Sequence, residues 1–372
     1  MPLRLSSLSW IAIALVAALG LSCCQTVHYY AQAVHGTAEI HGKERSRDEV
    51  IEDPSTPEKV KTKLKLARSL CDFAGSDLRL PAAGQYTKYA DLGRRYVVWN
   101  VFAAKELSLE SKTWWYPILG RLAYRGYFAE SEADAMAKEL RGQNYDVFVG
   151  GIEVYSTLGF FRDPLLNTFI DHSEPILAEN LFHELGHQRL FVPGDTDFNE
   201  AYATSVGQAG TRLWLKHQGN LALLQKYEKH LRRQQEVVRL FHDARDQLAA
   251  LYGDERTPGG SYKAAASPPA LPREEMLRRK KAILTQLEND YTNLTVIWGV
   301  EKKQARPFDG DLNNARLNSM ATYHDLVPAF EKLREKCGDW DSFYKAVEKL
   351  GKVPKEERKK ALLREAGVEL PS

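Results

Sequence analysis

The chain has 372 residues, 44% of them hydrophobic, which is enough apolar material for one large domain or two smaller ones. Its 51 lysines and arginines nearly balance 49 aspartates and glutamates, so the net charge of +2 gives no electrostatic reason to expect a nucleic-acid partner. Composition therefore argues against a wholly disordered chain and against nucleic-acid binding, but it leaves the substrate open.

The first 22 residues have the pattern of an export signal. Arg4 supplies positive charge, an apolar core follows at 10–21, and small residues precede Cys23 and Cys24. The apolar core is too short for a comfortable membrane span. The run Leu21-Ser22-Cys23-Cys24 resembles the bacterial lipoprotein signal, with an uncleaved anchor as the alternative. The resemblance implies a lipid on Cys23 or Cys24, which would tether the protein to a membrane in the bacterial cell envelope, facing the periplasm.

The region after the leader begins with a helical pattern and then becomes mixed. Residues 27–80 have helical periodicity, broken by a polar, proline-containing run at 42–59. Segments 96–102 and 145–149 are rich in β-branched and aromatic residues and predict strands, and the alanine-rich segment 131–140 between them predicts a surface helix. These patterns predict an α+β core with a small mixed sheet.

Two long, charged helical patterns, 221–252 and 273–298, flank a stretch at 257–272 that is rich in Gly, Pro, Ser and Ala. They predict a helical hairpin with a flexible tip. Whether Cys71 and Cys337 pair stays open, since sequence cannot show that their backbones approach. The predicted segments are a signal peptide or lipoprotein anchor at 1–24, a helical wrap at 25–90, a catalytic core at 91–218, the hairpin insertion at 219–300 and a C-terminal helical part at 301–372 that completes the active-site cleft.

The segment His183-Glu184-Leu185-Gly186-His187 is the zincin motif. It requires a helix, because residues four apart project from the same face and can bind one metal ion. Ser173, followed by Glu174 and Pro175, is a suitable helix start. An i, i+4 stripe of Leu177, Leu181 and Leu185 indicates the face that enters the core. The histidines point away from that stripe and towards a cleft.

A catalytic zinc normally has three protein ligands, so a third must follow the motif. The segment 197–203 predicts a second helix with Asp197 as its N-cap and Glu200 one turn in. Small residues at Ala203, Thr204 and Gly207 would let this helix lie close to the motif helix. Glu200 is therefore the predicted third ligand, with Asp195 and Asp197 as alternatives.

Four segments resemble one known family, the putative aminopeptidases of Gram-negative bacteria, which are predicted lipoproteins with a gluzincin-like site. The resemblance runs through most of the chain. It lies in Tyr29-Tyr30-Ala31-Gln32-Ala33-Val34, Tyr124-Arg125-Gly126-Tyr127-Phe128, the block 180–203, and Leu312-Asn313-Asn314-Ala315-Arg316-Leu317 with Tyr323 downstream. It implies a peptidase with one Zn²⁺ per chain and a peptide substrate.

The expected mechanism uses Glu184 as the general base, which takes a proton from the attacking water and later delivers it to the leaving amine. Tyr323 and His324 are candidates to stabilise the oxyanion, with Tyr323 preferred. For substrate binding, the extended segment with Gly150 and Gly151 is a candidate to lie along the peptide, and an ordinary bulged strand is the alternative.

Two further sets of polar residues lie near the motif in sequence. An aminopeptidase must recognise a free α-amine, for which Glu153 is the candidate carboxylate. Asp171 and His172 precede the motif helix and are either partners of the metal ligands or part of a surface turn.

The sequence thus predicts an α+β, zincin-like metallopeptidase domain that is mostly helical, with a long helical hairpin insertion. The predicted function is zinc-dependent peptide hydrolysis, as an aminopeptidase. Two alternatives remain: a non-catalytic envelope lipoprotein that binds a partner, and a zinc amidohydrolase acting on cell-wall fragments.

Overall fold

A computed structural model describes residues 29–116, 120–154, 162–257, 261–267, 269–300, 312–321 and 326–368. The strands are β1 (Glu44–Ser46), β2 (Lys88–Ala90), β3 (Val98–Lys105), β4 (Trp114–Tyr116), β5 (Gly120–Leu122), β6 (Tyr124–Tyr127), β7 (Tyr145–Ile152), β8 (Leu165–Leu166), β9 (Glu255–Arg256) and β10 (Tyr262–Lys263). The first helix, α1, spans 29–42. The other helices are α2 (Arg47–Glu52), α3 (Glu58–Ser76), α4 (Glu130–Gly142), α5 (Asn167–Ile170), α6 (Glu174–Arg189), α7 (Thr196–His217), α8 (Leu221–Tyr252), α9 (Arg273–Ile297), α10 (Asn314–Ala321), α11 (Val327–Cys337), α12 (Trp340–Gly351) and α13 (Lys355–Ala366).

The described chain is mostly helical with small sheets, which is consistent with the predicted α+β class. β1 pairs antiparallel with β2, and β2 pairs parallel with β8, so this sheet is mixed. β4 pairs with β5, and β9 with β10. The two predicted strands became β3 and β7, whereas the other short strands were not predicted. None of the helices in the described part of the chain has the length and hydrophobicity to cross a bilayer.

A three-stranded antiparallel sheet, in the order β6-β3-β7, lies beside the site. Alternate residues of β3 face opposite ways. Trp99, Val101 and Ala103 share a core cluster with the inner face of α4, whereas Val98 and Asn100 line a cavity on the other side. β7 is an edge strand of this sheet, and the alanine-rich helix α4 supports its covered face.

The largest core cluster draws residues from both ends of the chain, from Ile40 to Ala366. The predicted leucine stripe of α6 lies in it, because Leu177, Leu181 and Leu185 are at most 1% exposed. Helix α6 begins after Ser173, as predicted. One apolar face of α6 is therefore fixed in the core and holds the opposite face in one orientation. The boundaries of the five predicted segments stay predictions.

The two hairpin helices match the predicted bounds to within one residue, and part of the connection between them forms two short strands that were not predicted. Strands β9 and β10 form a short ladder there, and Tyr262 is buried against α8 and α9. Lys280 of α9 donates a 2.6 Å hydrogen bond to the carboxylate of Asp146 at the start of β7. Tyr262 thus holds β10 against the hairpin helices, and the ion pair attaches the hairpin to the central sheet, which local composition could not reveal.

Helices α6 and α7 pack closely because glycines lie at their contact. A β-carbon on Gly207 would lie 2.8 Å from the carbonyl oxygen of Glu179 and 3.3 Å from Cβ of His183. One on Gly186 would lie 3.4 Å from Cα of Ala203. The small-residue face predicted for the second helix is therefore present, and it brings together the faces of α6 and α7 that carry the predicted metal ligands.

We expect Gly207→Ala to lower the free energy of unfolding by about 1–3 kcal/mol, because the added methyl group must push α7 away from α6. Gly75→Ala is the control, since a β-carbon on Gly75 of α3 meets no atom within 4 Å. That change should be neutral or stabilise the protein by up to about 1 kcal/mol. Urea unfolding of both variants measures the difference, and equal stabilities would contradict the close packing.

Candidate metal centre and active-site cavity

His183, His187 and Glu200 form a cluster that could hold a metal ion. The two histidines lie one turn apart on α6, and Glu200 lies one turn into α7. The Nε2 atoms of the histidines are 3.1 Å apart. One carboxylate oxygen, Oε2 of Glu200, lies 3.4 Å from Nε2 of His183 and 3.6 Å from Nε2 of His187. Three donor atoms on two helices therefore converge on one point.

The spacing of these atoms fits a tetrahedral metal ion. Ligands at 2.0–2.1 Å from such an ion lie about 3.3–3.4 Å from one another. The three observed distances, 3.1, 3.4 and 3.6 Å, bracket that value. Imidazole nitrogen and carboxylate oxygen are also donors that first-row divalent metals accept. Two imidazoles and one carboxylate therefore match a metal site in both chemistry and spacing.

The electrostatics of the cluster couple the carboxylate to the imidazoles. Burial would raise the pKa of Glu200, but the charges of His187 and His183 and their hydrogen bonds hold it well below its ordinary value. Burial would lower the pKa of His183, but the hydrogen bond to Glu200 and the charge of Glu184 hold it above its ordinary value. Behind the cluster, the hydroxyl of Thr204 lies 3.4 Å from Nδ1 of His183.

Glu184 lies on the same wall as the cluster and lines the same cavity. Burial is the main cause that raises the pKa of the Glu184 carboxyl group. The nearby imidazoles of His183 and His187 lower this pKa, whereas the negative charge of Glu200 raises it further. A carboxylate with a raised pKa beside a candidate metal site is suited to accept a proton near neutral pH.

The cavity in front of the cluster has a volume of about 1170 Å³. Its walls come from α1, the central sheet, the β4–β5 hairpin, and helices α6 and α7. Much of the lining is aromatic: Tyr29, Tyr30, Tyr96, Tyr116, Tyr124 and Phe128. Helix α1, near the start of the described residues, thus forms one wall of the site. A cavity of this size accommodates several residues of a peptide.

Tyr124 of β6 lines the cavity, and sequence reasoning gave it no role. Burial, and then the charges of Glu200 and Glu184, raise the pKa of its hydroxyl group. The phenol therefore stays protonated at neutral pH and can donate a hydrogen bond in the cavity. Tyr124 lies in the segment 124–128, which carries part of the family resemblance in the sequence. Only the pairing of β6 with β3 places its side chain at the site.

Glu153 and His172 form a polar array in the same cavity. Nε2 of His172 lies 2.8 Å from the Glu153 carboxylate, and Nδ1 lies 3.1 Å from the amide nitrogen of Asn180. An amide nitrogen can only donate, so His172 accepts at Nδ1 and donates its Nε2 proton to Glu153. This array orients Glu153 towards the space in front of the cluster. Asp171 instead pairs with Lys59 at the surface.

The other predicted site residues fall into two groups. Gly151 lines the cavity, and a β-carbon there would collide with the ring of Tyr96 at 2.4 Å. Gly150 pairs with Asn100 on β3. Outside the described residues lie four candidates, which stay predictions: Tyr323, His324, Cys23 and Cys24.

The predicted N-cap of the second helix was wrong by two residues. Helix α7 begins at Thr196, and Asp195 is its N-cap, accepting a hydrogen bond from the backbone N–H of Phe198. Asp195 also pairs with the buried Arg358 of α13. Its carboxylate is therefore committed to the fold, and Glu200, not Asp195 or Asp197, completes the cluster.

The described residues thus define an α+β protein with a His-His-Glu cluster in the wall of a large aromatic cavity. The chain belongs to the family described as "Putative aminopeptidase", whose model matches residues 28–362. No curated protein and no solved structure gave a significant match to it. Peptidase activity is what the family name suggests.

Proposed function

We propose that this protein is a zinc-dependent aminopeptidase with a zincin-like catalytic core. The observation that carries the proposal is the convergence of His183, His187 and Glu200 beside the buried Glu184. A structural zinc site is normally closed by four protein ligands, whereas a catalytic site keeps one position open. The cluster has three members among the described residues, and its members line a cavity large enough for a peptide.

The residues of the chain supply the proton transfers and the orientation. Zinc at this position would polarise the scissile carbonyl and lower the pKa of a water. Glu184 takes a proton from the attacking water and passes it to the leaving amine, so that it ends the cycle as it began. Tyr124 donates a hydrogen bond to the oxygen that becomes negative, a role for which Tyr323 and His324 are the candidates from the sequence.

We expect Tyr124→Phe to lower kcat by about 10- to 100-fold and to leave KM within a few-fold, because the lost hydrogen bond forms chiefly in the transition state. The variant keeps its ring against Phe102, so the fold should persist. Steady-state kinetics with a short peptide, together with metal content, test this. An unchanged kcat would remove Tyr124 from the mechanism.

Exopeptidase action is favoured by Glu153. Its carboxylate is oriented by His172 in the same cavity as the cluster. β7, the strand that contains Gly150 and Gly151 and ends just before Glu153, is an edge strand, and Asn313 donates a hydrogen bond to its backbone at Val147, so an extended peptide would pair with the part of the strand after Val147. Glu153 and the cluster line the same cavity, so a substrate whose free α-amine binds Glu153 would lie in the space that the cluster faces. Gly150 and Gly151 lie in the last part of that strand.

The test compares a tripeptide that has a free amine with its N-acetyl counterpart. We expect the protein to release the first residue of the tripeptide that has a free amine, and not that of the N-acetyl tripeptide. Glu153→Gln should raise KM about tenfold or more with a smaller effect on kcat, because a charged partner of the amine is lost. Asp171→Asn, a nearby surface carboxylate paired with Lys59, is the control.

Three other outcomes would decide against this function. Internal cleavage of acetylated peptides would indicate an endopeptidase. Hydrolysis of cell-wall fragments, but not of peptides, would favour the amidohydrolase alternative. A folded protein that hydrolyses neither substrate after zinc is added would favour a binding protein.

A further inference from the structure

The cavity in front of the His-His-Glu cluster is called the metal cavity. A groove of about 350 Å³ lies beside it. Gly194 and Thr196, in the connection between α6 and α7, line both spaces. Strand β5 separates them on another side, because side chains of an extended segment alternate: Leu122 lines the cavity, whereas Arg121 lines the groove. The two spaces are therefore neighbours across a thin partition.

The groove is within reach of a peptide bound at the cluster. Thr196 lies four residues before Glu200 on α7, which is about 6 Å along the helix axis. An extended peptide advances about 3.3 Å per residue. A substrate of about three to five residues, with its first bond at the cluster, is therefore long enough to place its C-terminus at the groove.

The charged side chains that line the two spaces differ in sign. The described lining of the metal cavity includes no lysine or arginine and, apart from Asp195, which pairs with Arg358, it has three carboxylates, those of Glu153, Glu184 and Glu200. The described lining of the groove has four cationic and two acidic side chains, namely Arg121, Arg245, Lys263, Lys355, Glu110 and Asp197. This difference matches the two ends of a peptide at neutral pH, whose amine is positive and whose carboxylate is negative.

Three of the groove cations, Arg121, Lys263 and Lys355, are exposed. Arg121 lies 3.4 Å from the hydroxyl of Thr113. Lys355 donates a 2.6 Å hydrogen bond to the backbone carbonyl of Gly194 in the shared partition. Lys263 is an exposed residue of β10, in the connection between the two hairpin helices. Among the described residues, the hydrogen bonds of Arg121 and Lys355 go to neutral oxygens, and Lys263 gives the hairpin a place in the groove.

We propose that this groove binds the C-terminal carboxylate of short peptides whose N-terminal residue lies in the metal cavity. The substrate class is then free oligopeptides of about three to five residues, and the inference rests on the aminopeptidase function proposed above. Arg121 and Lys263 hold the carboxylate, and Lys355 positions the partition between the two spaces.

The experiment compares a tetrapeptide acid with the matching tetrapeptide amide on the full chain. For the wild type, kcat/KM should be about tenfold higher for the acid than for the amide, mainly because KM is lower for the acid. The double variant Arg121→Gln, Lys263→Gln should lose this preference, while its activity on an aminoacyl arylamide, which has no carboxylate, stays unchanged. Lys138→Gln on the exposed face of α4 is the control and should keep the preference.

A direct binding measurement separates this proposal from catalysis. Calorimetry with the Glu184→Gln variant should give a dissociation constant for the tetrapeptide acid about tenfold lower than for the amide, and the groove variants should abolish the difference. Equal affinity and equal kcat/KM for acid and amide would overturn the carboxylate site, even if the arylamide is cleaved. If the wild type does not cleave the arylamide, the proposed aminopeptidase function itself is overturned.

Discussion

Glu184→Gln should lower kcat by at least about 10³-fold while the protein keeps its metal ion. The substitution preserves shape but removes the group that accepts the proton, and general acid–base catalysis typically contributes 10²–10⁴-fold. Burial already raises the pKa of Glu184, so its carboxylate is suited to take a proton near neutral pH. Because Glu184 is not a member of the His-His-Glu cluster, binding of the metal should survive.

The matched control is Glu174→Gln on the same helix. Glu174 accepts a hydrogen bond from the indole of Trp214 at 2.8 Å, and the glutamine oxygen can accept it as well. This variant should keep wild-type kcat. Retained activity in Glu184→Gln, or equal losses in both variants, would show that Glu184 is not the base.

Glu200→Ala should weaken metal binding by more than about 100-fold, since even residues that only orient metal ligands are worth 10- to 100-fold. The wild type should gain thermal stability when zinc is added, because a ligand that binds only the folded state stabilises it. The variant should gain little at the same zinc concentration. Thermal unfolding with and without zinc measures both effects.

Asp197→Asn is the control for this prediction, because it removes a carboxylate in the first turn of the same helix. It should keep the zinc-dependent stabilisation of the wild type. If Asp197→Asn loses the metal and Glu200→Ala retains it, the third ligand has been wrongly assigned.

Local patterns in the sequence were sufficient for the long helices and for the cluster. The leucine stripe and the start after Ser173 fixed the orientation of α6, and that orientation fixes where His183 and His187 point. The hairpin helices α8 and α9 had clear bounds for the same reason, because their periodicity runs over many turns. Helical signals depend on residues three and four apart, so they can be read from one chain.

The walls of the cavity could not be predicted in this way. The backbone N–H of Phe128 donates a 3.0 Å hydrogen bond to the side chain of Gln32, 96 residues earlier. The ring of Phe128 also covers Gly36, and these contacts place α1 over the site. Tyr124 reaches the cavity only because β6 pairs with β3. Such contacts leave no periodic trace in the sequence.

The prediction of the N-cap of α7 was wrong for a different reason. Asp195 and Asp197 are both good cap residues and lie two positions apart, so local preference could not choose between them. The buried Arg358, 163 residues away, decides the choice by pairing with Asp195. The same ion pair removes Asp195 from the possible metal ligands.

The most direct test of the account is the metal content of the purified protein by elemental analysis, for the wild type and for His187→Ala. The predicted result is about one zinc per wild-type chain and almost none in the variant, with both proteins folded. A folded wild type that contains no metal and takes up none from added zinc would contradict the metal centre, and with it the proposed peptidase.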